Sequence, residues 1–210
     1  KVIDNGRKVE SIRAAVDESG NRTEDVAVLT LSEKIREKSS SIIAHMDGLK
    51  ETIIEETGGS DGKGGIKGYK NIDFVYSFMQ DDGQGSGEGS NLQELLNDFS
   101  DFVQDTVFKG DSNSGITDLA KNADQIPLYQ EDLPTDPSFT SLNFGFGTSA
   151  GAGLATISQL QADVINLEIK ALDKLAASVG AADLKFDVVT LTTLPEQKVV
   201  AAGAKYKTQL

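Results

Sequence analysis

The side chains that most often carry out chemistry are scarce in this sequence. The 210-residue chain contains no cysteine and a single histidine, His45. The lack of cysteine excludes disulfides, thiolate zinc sites and thiol nucleophiles. A catalytic or metal-binding His45 would need partner side chains, and none lies near it in the sequence. We therefore interpret His45 as a structural residue at the edge of a seam between helices, with its hydrogen bonds satisfied.

A glycine-rich stretch, residues 57–69, raises the question of nucleotide binding because it contains Gly62 and Lys63. A P-loop requires Ser or Thr after the lysine and a buried strand before the loop. Here Gly64 follows the lysine, and a helical pattern precedes the stretch. We interpret it, together with a second glycine-rich stretch at 80–90, as flexible loops at the ends of a helical bundle.

Two acidic residues near the C-terminal end, Asp163 and Glu168, are the remaining candidates for chemistry. Their spacing places them on different faces of a helix, unlike the spacing of metal-binding helix motifs. We expect them to make salt bridges or hydrogen bonds that fix neighbouring helices. The sequence therefore predicts a protein that is not an enzyme and that uses no metal or cofactor.

The composition narrows the range of partners. A formal net charge of −13 disfavours nucleic acid, because no basic stripe is present to meet phosphates. An anionic membrane surface is disfavoured for the same reason. No run of 18 or more apolar residues occurs, so this sequence contains no predicted membrane span. The first residue is Lys1 rather than Met, which suggests a piece excised from a longer protein.

Residues 148–179 are predicted to form the helix that organises the rest of the chain. Its apolar residues recur at steps of three or four residues, the spacing of one helix face. They are Leu154, Ile157, Leu160, Val164, Leu167, Ala171, Leu175 and Val179. A second apolar stripe lies beside the first, so the helix is expected at the centre of a bundle. Thr148 or Ser149 is predicted to cap its start, and Gly180 to close its end.

The other segments also show clear patterns. We predict helices over Lys1–Val16 and Glu24–Thr57, the second reaching ~50 Å, and a third that starts at Ser90 with Gln93 completing a capping box. Prolines exclude a long helix between 116 and 148, which is predicted to cross the bundle. The apolar residues expected to pin this crossing are Leu128, Tyr129, Leu133, Phe139, Leu142, Phe144 and Phe146. After Gly180 the apolar period changes to two, which predicts strands.

One part of the central helix carries a family pattern. Leu160-Gln161-Ala162-Asp163-Val164, followed by Glu168 and Leu172 and preceded by Ile157, resembles the last helix of the N-terminal periplasmic domain of the GldM/PorM family. Members of that family are motor subunits of gliding motility and type IX secretion. The residues on which the resemblance rests are Leu160, Gln161, Asp163, Val164, Glu168 and Leu172, and we expect them to have structural roles.

The resemblance implies a mainly α fold. The expected architecture is an elongated up-down helical bundle over residues 1–182, followed at 183–210 by the first strands of a truncated, immunoglobulin-like β-sandwich. It also implies a periplasmic homodimer, anchored in the inner membrane by an N-terminal transmembrane helix upstream of Lys1. The implied partners are a GldL/PorL-like inner-membrane protein and, through later β domains, a GldK/GldN-like ring at the outer membrane.

A second hypothesis belongs to another class of protein. Long helices and flexible loops are also found in the extracytoplasmic ligand-sensing bundles of membrane receptors. Such a sensor would need a polar pocket between helices, with arginine or aromatic side chains that bind a small anion. The arginines near the N-terminus, Arg7, Arg13, Arg22 and Arg36, show no convergence in the sequence. The predicted strands after the last helix also disfavour a sensor, because its last helix normally returns to the membrane.

Overall fold

The computed structural model describes residues 2–80, 87–129, 131–179, 194–195 and 208–209. Within these residues the chain is mainly helical, which confirms that part of the predicted fold class. The helices are α1 (Val2–Glu18), α2 (Thr23–Glu56), α3 (Phe74–Met79), α4 (Glu88–Thr106), α5 (Phe139–Phe144) and α6 (Ala150–Ser178). Two 3₁₀ turns, Ala123–Gln125 and Pro127–Tyr129, lie between α4 and α5.

The predicted β-sandwich is not tested by these residues. Two short strands, β1 (Leu194–Pro195) and β2 (Thr208–Gln209), pair antiparallel. A pair of this length cannot form a stable β domain on its own. The predicted strands over 183–193 and the proposed domain boundary at 182 lie outside the described residues, as does the predicted glycine cap at 180.

The long helices form where the apolar periodicity predicts them. Helix α2 spans its predicted range to within a residue at each end. Helix α6 begins at Ala150, and the Ser149 hydroxyl accepts a hydrogen bond from the Ala152 amide at 3.3 Å, so serine is the N-cap. An oxygen acceptor at this position satisfies one of the free amides of the first turn. The predicted cap is therefore confirmed.

The predicted start of α4 is wrong. The helix begins at Glu88, and no side chain of the described residues caps it. The Gln93 amide instead donates to the Ala120 carbonyl oxygen at 3.2 Å and to the Asn122 side chain at 2.9 Å. The first turn is fixed by tertiary packing, since a Cβ on Gly89 would meet the Thr140 side chain at 2.5 Å. Contacts with the crossing segment therefore determine this boundary.

Helix α2 is the longest helix, and the other long helices pack against it. The contacts that fix their directions are Arg13–Glu33 and Gly6–Arg36 for α1, His45–Glu88 and Lys38–Phe102 for α4, and Arg36–Glu168 and Lys50–Gln161 for α6. Helices α1, α4 and α6 therefore all run opposite to α2. The segment 107–149 carries the chain back along the bundle, which is why α6 runs parallel to α4. At 3.9 Å the His45–Glu88 approach is too long for a hydrogen bond, so the buried His45 Nε2 has no partner among the described residues, contrary to the prediction.

The crossing segment is pinned by fewer residues than predicted. Phe139 and Phe144, both on α5, are buried, and their rings meet edge to face with centroids 6.2 Å apart. Leu128, Leu133 and Phe146 are instead exposed, contrary to the prediction. Apolar character cannot distinguish the two groups. Helix α5 turns Phe139 and Phe144 inward, while Leu128 and Phe146 lie in a 3₁₀ turn and a glycine-flanked loop.

Two glycines allow a matched test of the fold. A Cβ on Gly68 would lie 1.6 Å from the Thr57 carbonyl oxygen, whereas a Cβ on Gly48, within α2, meets nothing within 4 Å. We expect Gly68→Ala to lower the free energy of unfolding by about 1–3 kcal/mol through steric strain. Gly48→Ala should raise it by about 0.5–1 kcal/mol by improving helix propensity. Urea denaturation of both variants tests this, and a loss for Gly48→Ala would contradict it.

Candidate functional site

The six residues of the α6 pattern divide into two groups. Leu160, Val164 and Leu172 are buried among the helices. Gln161, Asp163 and Glu168 carry the polar groups, and the structure brings two of them into contact with α2. The candidate site is therefore the seam between α2 and α6, which run antiparallel along most of the bundle.

Gln161 makes the first polar link across this seam. Its side-chain amide donates to Asp47 Oδ1 at 2.7 Å and to the Ile43 carbonyl oxygen at 3.3 Å. Its side-chain oxygen accepts a hydrogen bond from Lys50 Nζ at 2.7 Å. Lys50 also pairs with Asp47 at 3.1 Å. One glutamine on α6 thus bridges a carboxylate and an ammonium on consecutive turns of α2.

The Gln161 link changes the titration of its carboxylate partner. The hydrogen bond from Gln161, opposed by desolvation and aided by Lys50, holds the pKa of Asp47 below its ordinary value of 3.8. A lowered folded-state pKa contributes stability above pH 3.8, and that stability is lost as pH falls through the lower value. The seam is therefore expected to weaken in acid.

Removal of the Gln161–Asp47 hydrogen bond should change the pKa of Asp47 in a known direction. In Gln161→Leu, we expect the pKa of Asp47 to rise towards 3.8, and stability to fall less steeply as the solution is acidified below that pH. Carbon-13 NMR titration of the carboxyl groups measures the shift. Asp25 is the internal control, because Ser19 and Arg22 lower its pKa at the far end of α2. A pKa of Asp47 that stays unchanged would contradict the assignment.

Glu168 makes the second polar link. Its side chain is 1% exposed, and Oε1 accepts a hydrogen bond from Arg36 Nη1 at 2.8 Å. Arg36 also lies against α1, since a Cβ on Gly6 would meet its guanidinium at 3.6 Å. A buried carboxylate is tolerated when it is paired and hydrogen-bonded. The ion pair therefore fixes α2 to α6 at the point where α1 joins them.

An unsatisfied amide lies on α1 beside this junction. Asn5 is fully buried, and neither side-chain polar atom has a hydrogen-bond partner among the described residues. Leaving such a group unpaired costs about 1–3 kcal/mol. We expect Asn5→Leu, of similar size, to raise the free energy of unfolding by a comparable amount in thermal or urea melts. A destabilised variant would contradict this description of the α1 interface.

Asp163 has a different environment from Glu168. It accepts a hydrogen bond from Gln159 on its own helix at 3.1 Å. Its side chain lines a cavity of about 640 Å³ between α6 and the crossing segment. The other charged groups on the walls are Asp118, Lys121 and Lys170. Of the two acids predicted to fix neighbouring helices, Glu168 bonds to another helix, whereas the hydrogen bond of Asp163 stays within α6.

The cavity does not match the predicted anion sensor. Its lysines share the walls with two carboxylates, and no arginine lines it. The N-terminal arginines do not converge: Arg7 lies near Asp4, Arg13 near Glu10 and Glu33, Arg22 near Asp25, and Arg36 near Glu168. The structure therefore offers no convergent arginine site for a small anion within the described residues.

The sequence pattern on α6 did not reveal the partners on α2. Arg36, Ile43, Asp47 and Lys50 follow one another at steps of seven, four and three, which place them along one face of α2. That spacing was available in the sequence. The sequence does not show that this face of α2 pairs with Gln161 and Glu168, because that pairing depends on how the two helices are aligned.

Two comparisons with known proteins complete the description. A family model described as the GldM N-terminal domain matches residues 3–178. No curated protein gave a match. The matched range covers all six helices apart from the first residue of α1. In the part of the chain that the structure describes, no helix is both long enough and apolar enough to cross a membrane.

Proposed function

The chain belongs to the GldM N-terminal domain family, and we propose that it is a non-enzymatic, force-transmitting module of a gliding-motility and type IX secretion motor. Membership in the family indicates a gliding or type IX secretion subunit and a membrane-associated motor component. We infer the transmission of force from one observation, which is that polar and apolar contacts attach both α1 and α6 to α2.

The directions of the helices define a path for the load. If force enters at the N-terminal end of α1 and leaves at the C-terminal end of α6, it acts along two parallel helices. Lys8 of α1 pairs with Asp173 of α6, and Arg36 connects α6 to α2 beside Gly6. Such a load shears the α1–α6 interface. The contacts of this interface then resist separation together rather than one at a time.

The setting of the module follows from the same proposal. It lies in the periplasm as a homodimer, anchored to the inner membrane by a helix upstream of α1. There it associates with a GldL/PorL-like proton-driven partner. Beyond α6, later β domains connect it to a GldK/GldN-like ring at the outer membrane. In this arrangement the bundle lies between the driving and receiving ends of the machine and needs no catalytic group.

The dimer is tested by mass measurement. Light scattering over a concentration series is compared for this chain and for a longer chain that carries the following β domains. We expect a dimer that appears or strengthens with the added domains, and co-purification of the membrane partner when the upstream helix is also present. A monomer in both chains that gains thermal stability from a small anion or amino acid would favour the ligand-sensing alternative.

A further inference from the structure

One end of the bundle exposes a cluster of large apolar side chains, which we call the aromatic end. It consists of Tyr69, Ile72, Tyr76 and Phe146, whose exposed fractions are 53, 49, 38 and 90%. The rings of Tyr76 and Phe146 meet edge to face with centroids 5.7 Å apart. Surface aromatic side chains grouped in this way usually mark a contact with another molecule or a membrane.

The backbone holds this cluster firmly in place. The Tyr69 and Asn71 carbonyl oxygens accept hydrogen bonds from the Gly151 and Ala150 amides, at 2.9 and 2.7 Å. The segment that carries Tyr69 therefore binds the first turn of α6. A Cβ on Gly145 would lie 2.5 Å from the Ser141 carbonyl oxygen, so the loop before Phe146 packs closely on α5. The fold itself thus presents Phe146 to solvent.

Charged side chains are unevenly distributed at this end. The net charge of the protein is −13, yet residues 137–162 contain no charged side chain. The neighbouring segment 57–80 carries Lys63, Lys67 and Lys70 against two aspartates. One of these, Asp61, accepts hydrogen bonds from the amides of its own loop. The last turns of α2, which reach the same end, carry the exposed Glu51, Glu55 and Glu56. Carboxylates therefore outnumber lysines at this end, and the three lysines lie beside an uncharged, aromatic surface.

The aromatic end also lies in the direction from which the chain enters. Helix α1 runs opposite to α2, with Gly6 beside Arg36, so its N-terminus points towards the C-terminal end of α2. From Arg36 to Glu56, α2 extends a further ~30 Å in that direction at ~1.5 Å per residue. The loop after α2 and the start of α6 form the aromatic end. It therefore reaches beyond the start of α1.

We propose that the aromatic end rests on the surface of the lipid bilayer. Tyr69, Tyr76 and Phe146 enter the interface, where amphipathic and aromatic side chains are favoured, while the lysines meet lipid phosphates. The orientation rests on the proposed membrane anchoring, whereas the lipid affinity rests on these residues alone. Because the chain is acidic both as a whole and at this end, the aromatic side chains supply most of the proposed affinity, and the lysines add local contacts with phosphates.

The absence of tryptophan from the chain provides a direct reporter. Phe146→Trp places a single indole at the centre of the aromatic end. Leu128→Trp, at a leucine that is 82% exposed and lies outside it, is the matched control. Each 210-residue variant is titrated with vesicles of equimolar phosphatidylethanolamine and phosphatidylglycerol, and with vesicles of phosphatidylcholine. We expect the emission of Phe146→Trp to shift to shorter wavelength with the anionic vesicles, while that of Leu128→Trp does not.

Vesicle flotation then identifies the groups that bind. Phe146→Ser should weaken partitioning of the chain by about tenfold, which corresponds to about 1.4 kcal/mol, whereas Leu128→Ser should leave it unchanged. Equal shifts for both tryptophans, no flotation of the wild-type chain, or equal losses for both serine variants would overturn the proposal. If the wild-type chain does not bind vesicles but dimerises and co-purifies with the membrane partner, the proposed lipid contact is wrong. The proposed function is then still supported.

Discussion

Arg36→Ala is expected to lower the free energy of unfolding by about 3–5 kcal/mol, the cost of leaving a buried carboxylate without its partner. Glu168 is 1% exposed and accepts its hydrogen bond from Arg36 at 2.8 Å. Without the guanidinium, the buried carboxylate loses both its counter-charge and this hydrogen bond. Urea denaturation followed by circular dichroism measures the loss.

Two controls isolate the effect of burial. Arg13→Ala breaks a 2.7 Å pair with Glu33 whose side chains are both about half exposed, and it should cost less than about 1 kcal/mol. The double variant Arg36→Met/Glu168→Leu removes both charges and should recover most of the stability lost in Arg36→Ala. If Arg36→Ala and Arg13→Ala lower the free energy of unfolding equally, burial of the Arg36–Glu168 pair adds nothing to the stability of the seam.

Leu172→Ala is expected to lower the free energy of unfolding by about 2–5 kcal/mol. Leu172 is fully buried on α6, one turn after Glu168, and truncation there loses apolar contact and leaves a cavity. Thermal and urea melts measure the change. Leu95→Ala on α4 is the matched control, because Leu95 is already partly exposed and should lose less. Comparable losses at both positions would contradict the central place of α6 in the core.

The helices that could be predicted from the sequence are those whose own pattern determines them. Helix α6 shows its apolar periodicity and its serine cap within one continuous stretch, so its limits and its buried residues follow from local rules. The same holds for α2. In α4 the first turn depends on Gly89 packing against Thr140, far away in the sequence, and the local capping rule gave the wrong start.

The polar contacts of the site were less predictable. Asp163 and Glu168 are chemically similar, and the sequence offered the same role for both. Their difference comes from the alignment of α6 on α2, which pairs Glu168 with Arg36 and leaves Asp163 beside a cavity. Exposure of Phe146 has a similar origin, since it follows from a loop geometry that hydrophobicity does not encode.

The claim that α1 and α6 carry load in shear is tested most directly by single-molecule force spectroscopy. Because the chain has no cysteine, handles can be attached at introduced thiols alone. Arg7→Cys with Ser178→Cys loads the two parallel helices obliquely, because the Lys8–Asp173 pair places Ser178 about 9 Å along the axis from Arg7. Arg7→Cys with Glu37→Cys pulls α1 sideways from α2, because the two sites lie at nearly the same position along the bundle axis. We predict that the first pair of handles unfolds the protein at clearly higher force than the second, whereas equal or lower force would contradict the load path.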